Sequence, residues 1–200
     1  MRLVLPQRAL ARLLRWTRRA LFAVAVSLLG YCGFVLLDTW TFQAEERRQL
    51  GQLLTLPASA RASLPAVPGG LIGRIDIPRL GLSAIIMEGT SSKTLRRAVG
   101  HIAGTALPGQ PGNVGLSGHR DTFFRPLRNI RQDDLITLRT LAGDFRYRVL
   151  STRIVAPVEV AVLEPGGNEI LTLVTCYPFY FVGSAPERFV VRAERVRNKS

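Results

Sequence analysis

The hydrophobic pattern of this chain changes once, from a single long apolar stretch to a series of short runs. No charged residue occurs from Ala20 to Leu37, a length at the lower end of what crosses a hydrocarbon core about 30 Å thick as a helix. The residues after Gly70 form short runs rich in β-branched and aromatic side chains, separated by glycine and proline. The pattern therefore predicts one transmembrane helix followed by a mostly β domain.

Within the second region the individual elements can be placed. Leu71–Pro78 and Leu82–Met87 predict two strands joined by a turn, and Asp133–Thr140 and Asp144–Leu150 predict a hairpin. Thr90–Val99 begins with N-capping residues and predicts a short helix. Several short elements separated by turn signals predict a closed or nearly closed β structure.

The apolar stretch predicts an uncleaved anchor in preference to the alternative, a cleaved signal peptide. It is longer than the apolar part of a signal peptide, about 7–15 residues, and Asp38-Thr39-Trp40 follows it in place of a small-x-small cleavage site. The arginines ahead of it predict that the N-terminus lies inside. The predicted regions are a basic cytoplasmic N-terminus (1–19), the anchor (20–42), a juxtamembrane helix with a Pro/Ala/Gly linker (43–70) and a folded domain (71–200).

Composition allows one globular core, and charge does not identify a partner. The chain is 47% hydrophobic and 20% charged, with a formal net charge of +13, which on its own would suggest nucleic acid or an anionic surface. Six arginines precede the anchor, and most of the other basic residues are scattered along predicted strands and turns. Because no basic stripe with interleaved aromatic side chains occurs, nucleic-acid binding is not predicted.

The two cysteines have different surroundings. Cys32 lies inside the apolar stretch, where a cysteine is usually a small hydrophobic side chain. Cys176 is the single cysteine of the folded domain, and it ends the apolar run that begins at Leu171, with Pro178 two positions later. This pattern predicts a buried strand that ends where its thiol is presented. An unpaired cysteine in an exported domain is a candidate reactive thiol.

Two further side chains complete a candidate site. Arg188 opens a β-rich run after a loop, and a hairpin-like return would carry it back beside Cys176. His119 follows Gly118 at the polar end of another short apolar run, whereas His101 is predicted to tie down its loop or to line the cleft. Cysteine, histidine and arginine are the nucleophile, the proton carrier and the charge stabiliser that thiolate catalysis requires.

These motifs resemble the sortase family, and most closely its class D branch. Thr172–Cys176 is similar to the TLxTC signature of that family, and Gly118-His119-Arg120 and the downstream Arg188 match in the same order. The resemblance covers roughly residues 71–196. It implies a closed β-barrel of about eight strands with short helices, here preceded by the N-terminal transmembrane helix.

The resemblance also implies a function. Cys176, His119 and Arg188 would be the catalytic residues of a membrane-anchored transpeptidase that cleaves an LPxTG- or LPxTA-like C-terminal sorting signal after threonine and joins it to an amine. Thr175 is assigned to substrate binding by resemblance only, since neighbouring strand side chains point to opposite faces and it could pack behind Cys176. Asp121, also assigned to substrate binding, could orient His119 or cap a turn.

The implied partners are secreted proteins with a sorting signal, an amine acceptor such as a peptidoglycan precursor or a pilin lysine, and membrane lipid. The implied location is the bacterial cytoplasmic membrane, crossed once, with the catalytic domain outside. No cofactor or metal is predicted, because Asp133-Asp134 are typical turn residues and nothing else supplies ligand spacing.

Three other interpretations stay open at this point. A thiol peptidase would release its product to water instead of transferring it to an amine. An anchored binding module would have no chemistry, with Cys176 as part of its core. A redox thiol would need a resolving partner, which the folded domain does not contain.

Overall fold

The computed structural model describes residues 7–57, 70–165, 169–180 and 183–196. It contains two α-helices and eight strands in the order α1 (Gln7–Leu54), β1 (Leu71–Ile77), β2 (Leu82–Glu88), α2 (Ser92–Arg97), β3 (Val99–His101), β4 (Asn113–Ser117), β5 (Leu135–Thr140), β6 (Gly143–Val155), β7 (Ile170–Tyr177) and β8 (Glu187–Arg195). Short 3₁₀ turns cover Pro78–Leu80, Arg125–Asn129 and Val160–Leu163.

The strands close into a barrel in the order β1-β2-β3-β4-β7-β8-β6-β5, which confirms the predicted fold class. Four neighbouring pairs, β1·β2, β3·β4, β5·β6 and β7·β8, are antiparallel pairs of consecutive strands. The pairs β2·β3 and β4·β7 are parallel. Closure leaves no free sheet edge, which explains how a small domain of short strands satisfies its backbone hydrogen bonds.

Every second side chain along the strands points into the barrel, and these apolar side chains fill its interior. Ile75, Leu138, Leu171, Leu173 and Val191 point inward with exposed fractions of 0%. Tyr147 is buried among them, and burial raises the pKa of its phenol to about 12. The period of two that predicted half-buried strands therefore corresponds to one face in the core and one face outside.

One predicted helix is shorter than its pattern suggested. The Oγ of Ser91 accepts a 3.1 Å hydrogen bond from the backbone N–H of Thr94, as predicted for an N-cap. The helix ends at Arg97, however, and Val99–His101 forms strand β3, with Val99 paired to Ile86 of β2. Pairing within the barrel thus overrides the local helical pattern at the end of this segment.

The chain forms two compact units, residues 1–41 and 42–200. In the first unit, α1 is apolar and open to its surroundings, with Leu21, Phe22, Leu29 and Leu36 exposed by 70–72%. From Leu10 onward the helix is long and apolar enough to cross a membrane.

In the second unit the last turns of α1 pack on the barrel. The side-chain amide of Gln43 donates a 2.6 Å hydrogen bond to the carbonyl of Arg97 and accepts a 3.1 Å bond from the N–H of Ile85. Leu50 is 3% exposed and packs with Leu71 and Met87. The predicted juxtamembrane helix is thus a helix that belongs to this packed unit, while most of the predicted linker lies outside the described residues.

Candidate active site

The return from β7 to β8 brings Cys176 directly opposite Arg188. The two residues are register partners in the antiparallel pair, one rung from the end at Tyr177 and Glu187. The Cα atoms of such partners lie about 4.5–5.5 Å apart. The hairpin-like return predicted from the sequence is therefore confirmed.

The candidate thiol points to the outer face of the barrel. Leu171, Leu173 and Thr175 alternate inward and are 0–2% exposed. Cys176 has the opposite parity and is a partly exposed free cysteine. A solvent-accessible thiol at a strand end can act as a nucleophile, whereas a core cysteine is inert.

The backbone of Gly118 places His119 beside this strand end. Gly118 N–H donates a 3.2 Å hydrogen bond to the carbonyl of Val174, one residue past the end of β4. Thr175 Oγ1 donates a 2.7 Å bond to the carbonyl of Gly118. Because the parallel register aligns Ser117 with Val174, these bonds carry His119 to the level of Cys176. His119 is exposed.

Gly118 approaches the core too closely for any other residue. A Cβ built there would lie 2.8 Å from the ring of Phe124, which is 0% exposed. The N–H of Phe124 in turn donates a 3.1 Å hydrogen bond to the carbonyl of His119. The turn that presents His119 is thus held against the core on both sides of the histidine.

Arg188 keeps part of its guanidinium available. Its Nη1 donates hydrogen bonds of 3.2 and 3.0 Å to the carbonyls of Ala185 and Glu187. Within the described part of the chain, its Nε and Nη2 have no hydrogen-bond partner. An arginine anchored at one nitrogen and open at the others can donate to a charge that develops beside Cys176.

Arg120 ties the histidine turn to the segment that follows the cysteine strand. Its side chain is 6% exposed, and its Nη1 and Nη2 donate hydrogen bonds of 3.1 Å to the carbonyl of Pro178 and 3.0 Å to that of Gly183. Sequence reasoning treated Arg120 only as part of a motif. The contacts that define its role join residues about 60 positions apart, and no local pattern reveals them.

The sequence analysis also considered Asp121, Thr175 and His101, which differ in their exposure and hydrogen bonds. Asp121 is 72% exposed, and its Oδ1 lies 3.6 Å from Nε of Arg120. Thr175, as described, is buried and donates to Gly118. His101 is 3% exposed, with Nδ1 2.9 Å from Oε2 of Glu88 and Nε2 3.1 Å from the carbonyl of Ala106, so it ties down its loop as predicted.

Three aromatic side chains adjacent to Cys176 and Arg188 in the sequence pack against one another. The rings of Tyr177, Phe179 and Phe189 form a cluster with centroid separations of 5.3–6.4 Å. Tyr177 and Phe179 follow Cys176 directly, and Phe189 follows Arg188. The cluster therefore packs together the backbones that carry the candidate nucleophile and the candidate arginine.

The 3₁₀ turn Val160–Leu163 covers part of the same outer face. Asn113, 2% exposed, donates from Nδ2 to the carbonyls of Val162 (3.1 Å) and Glu164 (3.3 Å). Thr172 Oγ1 donates a 2.8 Å bond to Oδ1 of Asn113. The buried amide of Asn113 thus holds this 3₁₀ turn against β4 and β7. The sequence did not predict this role, because the bonded residues lie about 50 positions apart.

The described residues contain no group of three or more His, Cys, Asp or Glu side chains placed to hold a metal ion. Asp134, one of the paired acids considered for metal binding, is an ion-pair partner of Arg79. Its carboxylate also accepts a 2.8 Å bond from the N–H of Arg131.

The sequence is similar to a protein-family model and to characterised relatives that carry the same family name. Residues 75–196 match the family model described as "Sortase domain". The chain is 32% identical to Sortase D of Bacillus subtilis, over 88% of this chain and 96% of that protein. It is 36% identical to Sortase SrtE1 of Streptomyces coelicolor, over 56% of this chain and 37% of that protein.

Solved structures share the fold. The Sortase D5 transpeptidase of Clostridium perfringens superposes with a TM-score of 0.69 at 23% identity, covering 78% of this chain and 99% of that one. Sortase C1 of Streptococcus agalactiae superposes with a TM-score of 0.62 at 31% identity, covering 72% and 79% of the two chains. Both the fold and the overall sequence similarity therefore agree with the resemblance found in the sequence.

Proposed function

This chain belongs to the sortase family of cysteine transpeptidases, and from that premise we propose that it transfers secreted proteins to an amine at the cell surface. The substrate is a C-terminal sorting signal similar to LPxTG or LPxTA, cleaved after threonine. Cys176, His119 and Arg188 carry the reaction. The pairing of Cys176 with Arg188 across β7 and β8 is the observation that supports this proposal best.

In the first half-reaction the Cys176 thiolate attacks the carbonyl carbon of the threonine. The C–S bond forms and the carbonyl becomes an oxyanion, to which the open N–H groups of Arg188 donate. His119 then protonates the nitrogen of the departing residue, the C–N bond breaks, and a thioacyl-enzyme remains.

The second half-reaction reverses these steps with a new amine. The incoming amine attacks the thioester carbon and loses its proton to His119. A C–N bond forms, the C–S bond breaks, and the thiolate of Cys176 is regenerated. The overall reaction exchanges one amide for another and consumes no cofactor.

Thr175 and Asp121 have supporting roles in this proposal. The buried hydroxyl of Thr175 holds the Gly118 carbonyl, so we assign it to positioning His119 in place of substrate contact. Asp121 is exposed beside Arg120 and is assigned to the rim of the substrate site.

The long helix α1 anchors the enzyme where both substrates occur. Arginines ahead of the apolar stretch favour an N-terminus inside the bacterial cytoplasmic membrane and a catalytic domain outside. The amine acceptor is a peptidoglycan precursor or a pilin lysine. This arrangement keeps the thiol close to newly exported proteins and to cell-surface amines.

The proposal is tested with the full chain purified in mild detergent. The protein is mixed with LPxTG and LPxTA peptides, with and without an added amine, and products are identified by mass spectrometry beside Cys176→Ala. A thioester adduct on Cys176 and an amine-joined peptide, both absent from the variant, are expected. Cleavage without joining would support a thiol peptidase. No adduct with any peptide, together with a thiol that resists alkylation, would support a non-catalytic binding module.

A further inference from the structure

A cavity of about 330 Å³ lies where the last turns of α1 meet the barrel. Two of its lining residues, Phe42 and Glu46, are four positions apart on α1 and therefore share one face of that helix. The other lining residues are Met87 and Glu88 at the end of β2, and Lys93, Thr94 and Arg97 on α2. All of them belong to the compact unit 42–200, and none has a role in the transfer reaction proposed above.

Hydrogen bonds next to the cavity fix the elements that form it. The side-chain amide of Gln43 on α1 bonds to the N–H of Ile85 on β2 and to the carbonyl of Arg97 on α2. The carboxylate of Glu88 is held by the buried His101, with 2.9 Å between Oε2 and Nδ1. The cavity therefore exists before any ligand binds, which lowers the entropic cost of binding.

The lining carries unpaired charges of both signs. Glu46 is partly buried, and within the part of the chain that the structure describes its carboxylate has no hydrogen-bond or ion-pair partner. Burial, and secondly the neighbouring Glu45, raise the pKa of Glu46 above its ordinary value of 4.5. The ammonium of Lys93 on α2 likewise has no partner among the described residues. A carboxylate and an ammonium that line one cavity without bonding to each other favour a ligand with both complementary charges.

The position of the cavity along the chain indicates where such a ligand comes from. Phe42 is the last residue of the predicted anchor, five positions after Leu37, which ends the uncharged stretch. Five helical residues correspond to roughly 7.5 Å along the helix. The headgroup layer on each side of a bilayer is also about 5–8 Å thick. With the anchor proposed above, Phe42 therefore lies at the level of the lipid headgroups.

A headgroup with a primary ammonium beside a phosphate diester matches this lining. Its ammonium can donate hydrogen bonds to the carboxylates of Glu46 and Glu88, and its phosphate can accept from Lys93. The apolar side chains of Phe42 and Met87 provide contacts for the less polar part of the lipid. A trimethylated headgroup has no N–H to donate, and a glycerol headgroup has no cation, so each lacks half of these interactions.

Resting on the proposed anchor, we propose that this cavity is a binding site for the headgroup of phosphatidylethanolamine, taken from the leaflet that faces the catalytic domain. A lipid bound there contacts α1, β2 and α2 together. It thereby holds the membrane-proximal side of the domain at the bilayer surface, where the proposed substrates occur.

The test is native mass spectrometry of the full chain in detergent, titrated with phosphatidylethanolamine, phosphatidylcholine and phosphatidylglycerol that have identical acyl chains. Phosphatidylethanolamine is expected to bind at least about fivefold more tightly than the other two, as one charge-assisted contact at a partly exposed site allows. Glu46→Gln and Lys93→Gln should each remove this preference. The matched controls Glu45→Gln and Arg96→Gln remove the same charges at exposed neighbouring positions and should preserve it.

Thermal unfolding gives a second measurement on the same samples. A ligand that binds only the folded protein raises the midpoint of unfolding. Phosphatidylethanolamine should therefore raise the midpoint of the unmodified chain and of both control variants more than phosphatidylcholine does. Glu46→Gln and Lys93→Gln should show no such difference between the two lipids.

The other outcomes would overturn the site. Equal binding of the three lipids, or equal effects of the control variants, would mean attraction by overall charge only. Soluble glycerophosphoethanolamine that bound as tightly as the lipid would exclude a membrane lipid as the specific occupant.

The anchor and the transfer reaction are checked separately from the lipid site. Flotation of the full chain with phosphatidylethanolamine vesicles tests the anchor, and a chain that bound the lipid selectively in detergent without floating would overturn the anchor while retaining the headgroup site. Cys176→Ala should keep the lipid preference, so a failure of peptide transfer is distinguishable from a failure of lipid binding.

Discussion

The hydroxyl of Thr175 donates a 2.7 Å hydrogen bond to the carbonyl of Gly118, joining the residue before Cys176 to the residue before His119. Both groups are buried, with Thr175 2% exposed. The bond joins two residues that are 57 positions apart in the chain, beside the ends of the parallel strands β4 and β7. A single side chain thus links the backbones of the proposed nucleophile and the proposed proton carrier.

Replacing Thr175 by valine should lower kcat more than it raises KM. Valine keeps the volume but leaves the Gly118 carbonyl without its donor, which costs about 1–3 kcal/mol of stability. Loss of the link also displaces His119 from Cys176, and small misplacements reduce rates by up to about 100-fold. Steady-state kinetics of peptide transfer and thermal unfolding measure the two effects.

Thr175→Ser is the matched control for this variant. It keeps the hydroxyl and should retain most of the kcat, with a small loss of stability from the missing methyl group. If Thr175→Val instead raised KM at constant kcat, Thr175 would contact substrate and would not be a positioning residue.

Arg120 provides the second link, between the histidine turn and the segment after Cys176. Arg120→Met removes charge-assisted hydrogen bonds to the carbonyls of Pro178 and Gly183, which contribute about 1.5–3 kcal/mol each, and should reduce both kcat and thermal stability. Arg128→Met is the control, because Arg128 contacts the 78% exposed Tyr180 of the same segment. Equal effects of the two variants would contradict a positioning role for Arg120.

The sequence predicts the parts of the site that depend on short-range pattern. The Cys176 strand, its return to Arg188 and the Ser91 cap follow from periodicity and turn residues. The strand β3 and the two parallel pairs could not be predicted, because their partners are chosen by closure of the barrel. Arg120, Asn113 and Gln43 act on carbonyls or amides more than 40 positions away, and no local signal marks such contacts.

Arg188 should be indispensable as a hydrogen-bond donor. Arg188→Gln replaces the charged fork of N–H groups by a shorter, neutral amide that does not reach the same position, and it is expected to lower kcat/KM by about 10²–10³, the usual effect of losing a donor to a developing oxyanion. Arg188→Lys keeps the charge but not the fork of N–H groups, and should recover only part of the activity. Peptide-transfer assays measure both variants. Activity of Arg188→Gln within threefold of the unmodified enzyme would contradict this role.

The contact of α1 with the barrel should contribute to stability. Gln43→Met keeps the shape of the side chain but removes its hydrogen bond to the Arg97 carbonyl and leaves the buried Ile85 N–H without the acceptor on Gln43, a loss of about 1–3 kcal/mol of stability. Gln52→Met, on an exposed position of the same helix, should change little. Thermal unfolding of the full chain in detergent, followed by near-UV circular dichroism, compares them. Equal midpoints for both variants would show that this contact is not stabilising.

The ion pair between Arg79 and Asp134 should make stability depend on pH in the acid range. The hydrogen bonds from Arg79 lower the pKa of Asp134 below its ordinary value of 3.8, against the opposing effect of burial, and the N–H of Arg131 lowers it further. A carboxyl whose pKa is lowered by folding contributes stability that is complete above its unfolded pKa and is lost as pH falls through the folded value.

Arg79→Met should therefore be less stable than the unmodified protein near neutral pH. The difference should begin to narrow below about pH 4, where Asp134 becomes protonated in the unfolded chain, and it should be lost as the pH falls through the lower pKa of the folded protein. Thermal unfolding between about pH 2.5 and pH 7 measures this convergence, with Arg146→Met as a control that removes the same charge at an exposed site. A difference in stability that stayed constant across this range would mean that Arg79 stabilises the fold through packing and its 2.7 Å bond to the Asn129 carbonyl, independently of the Asp134 carboxylate.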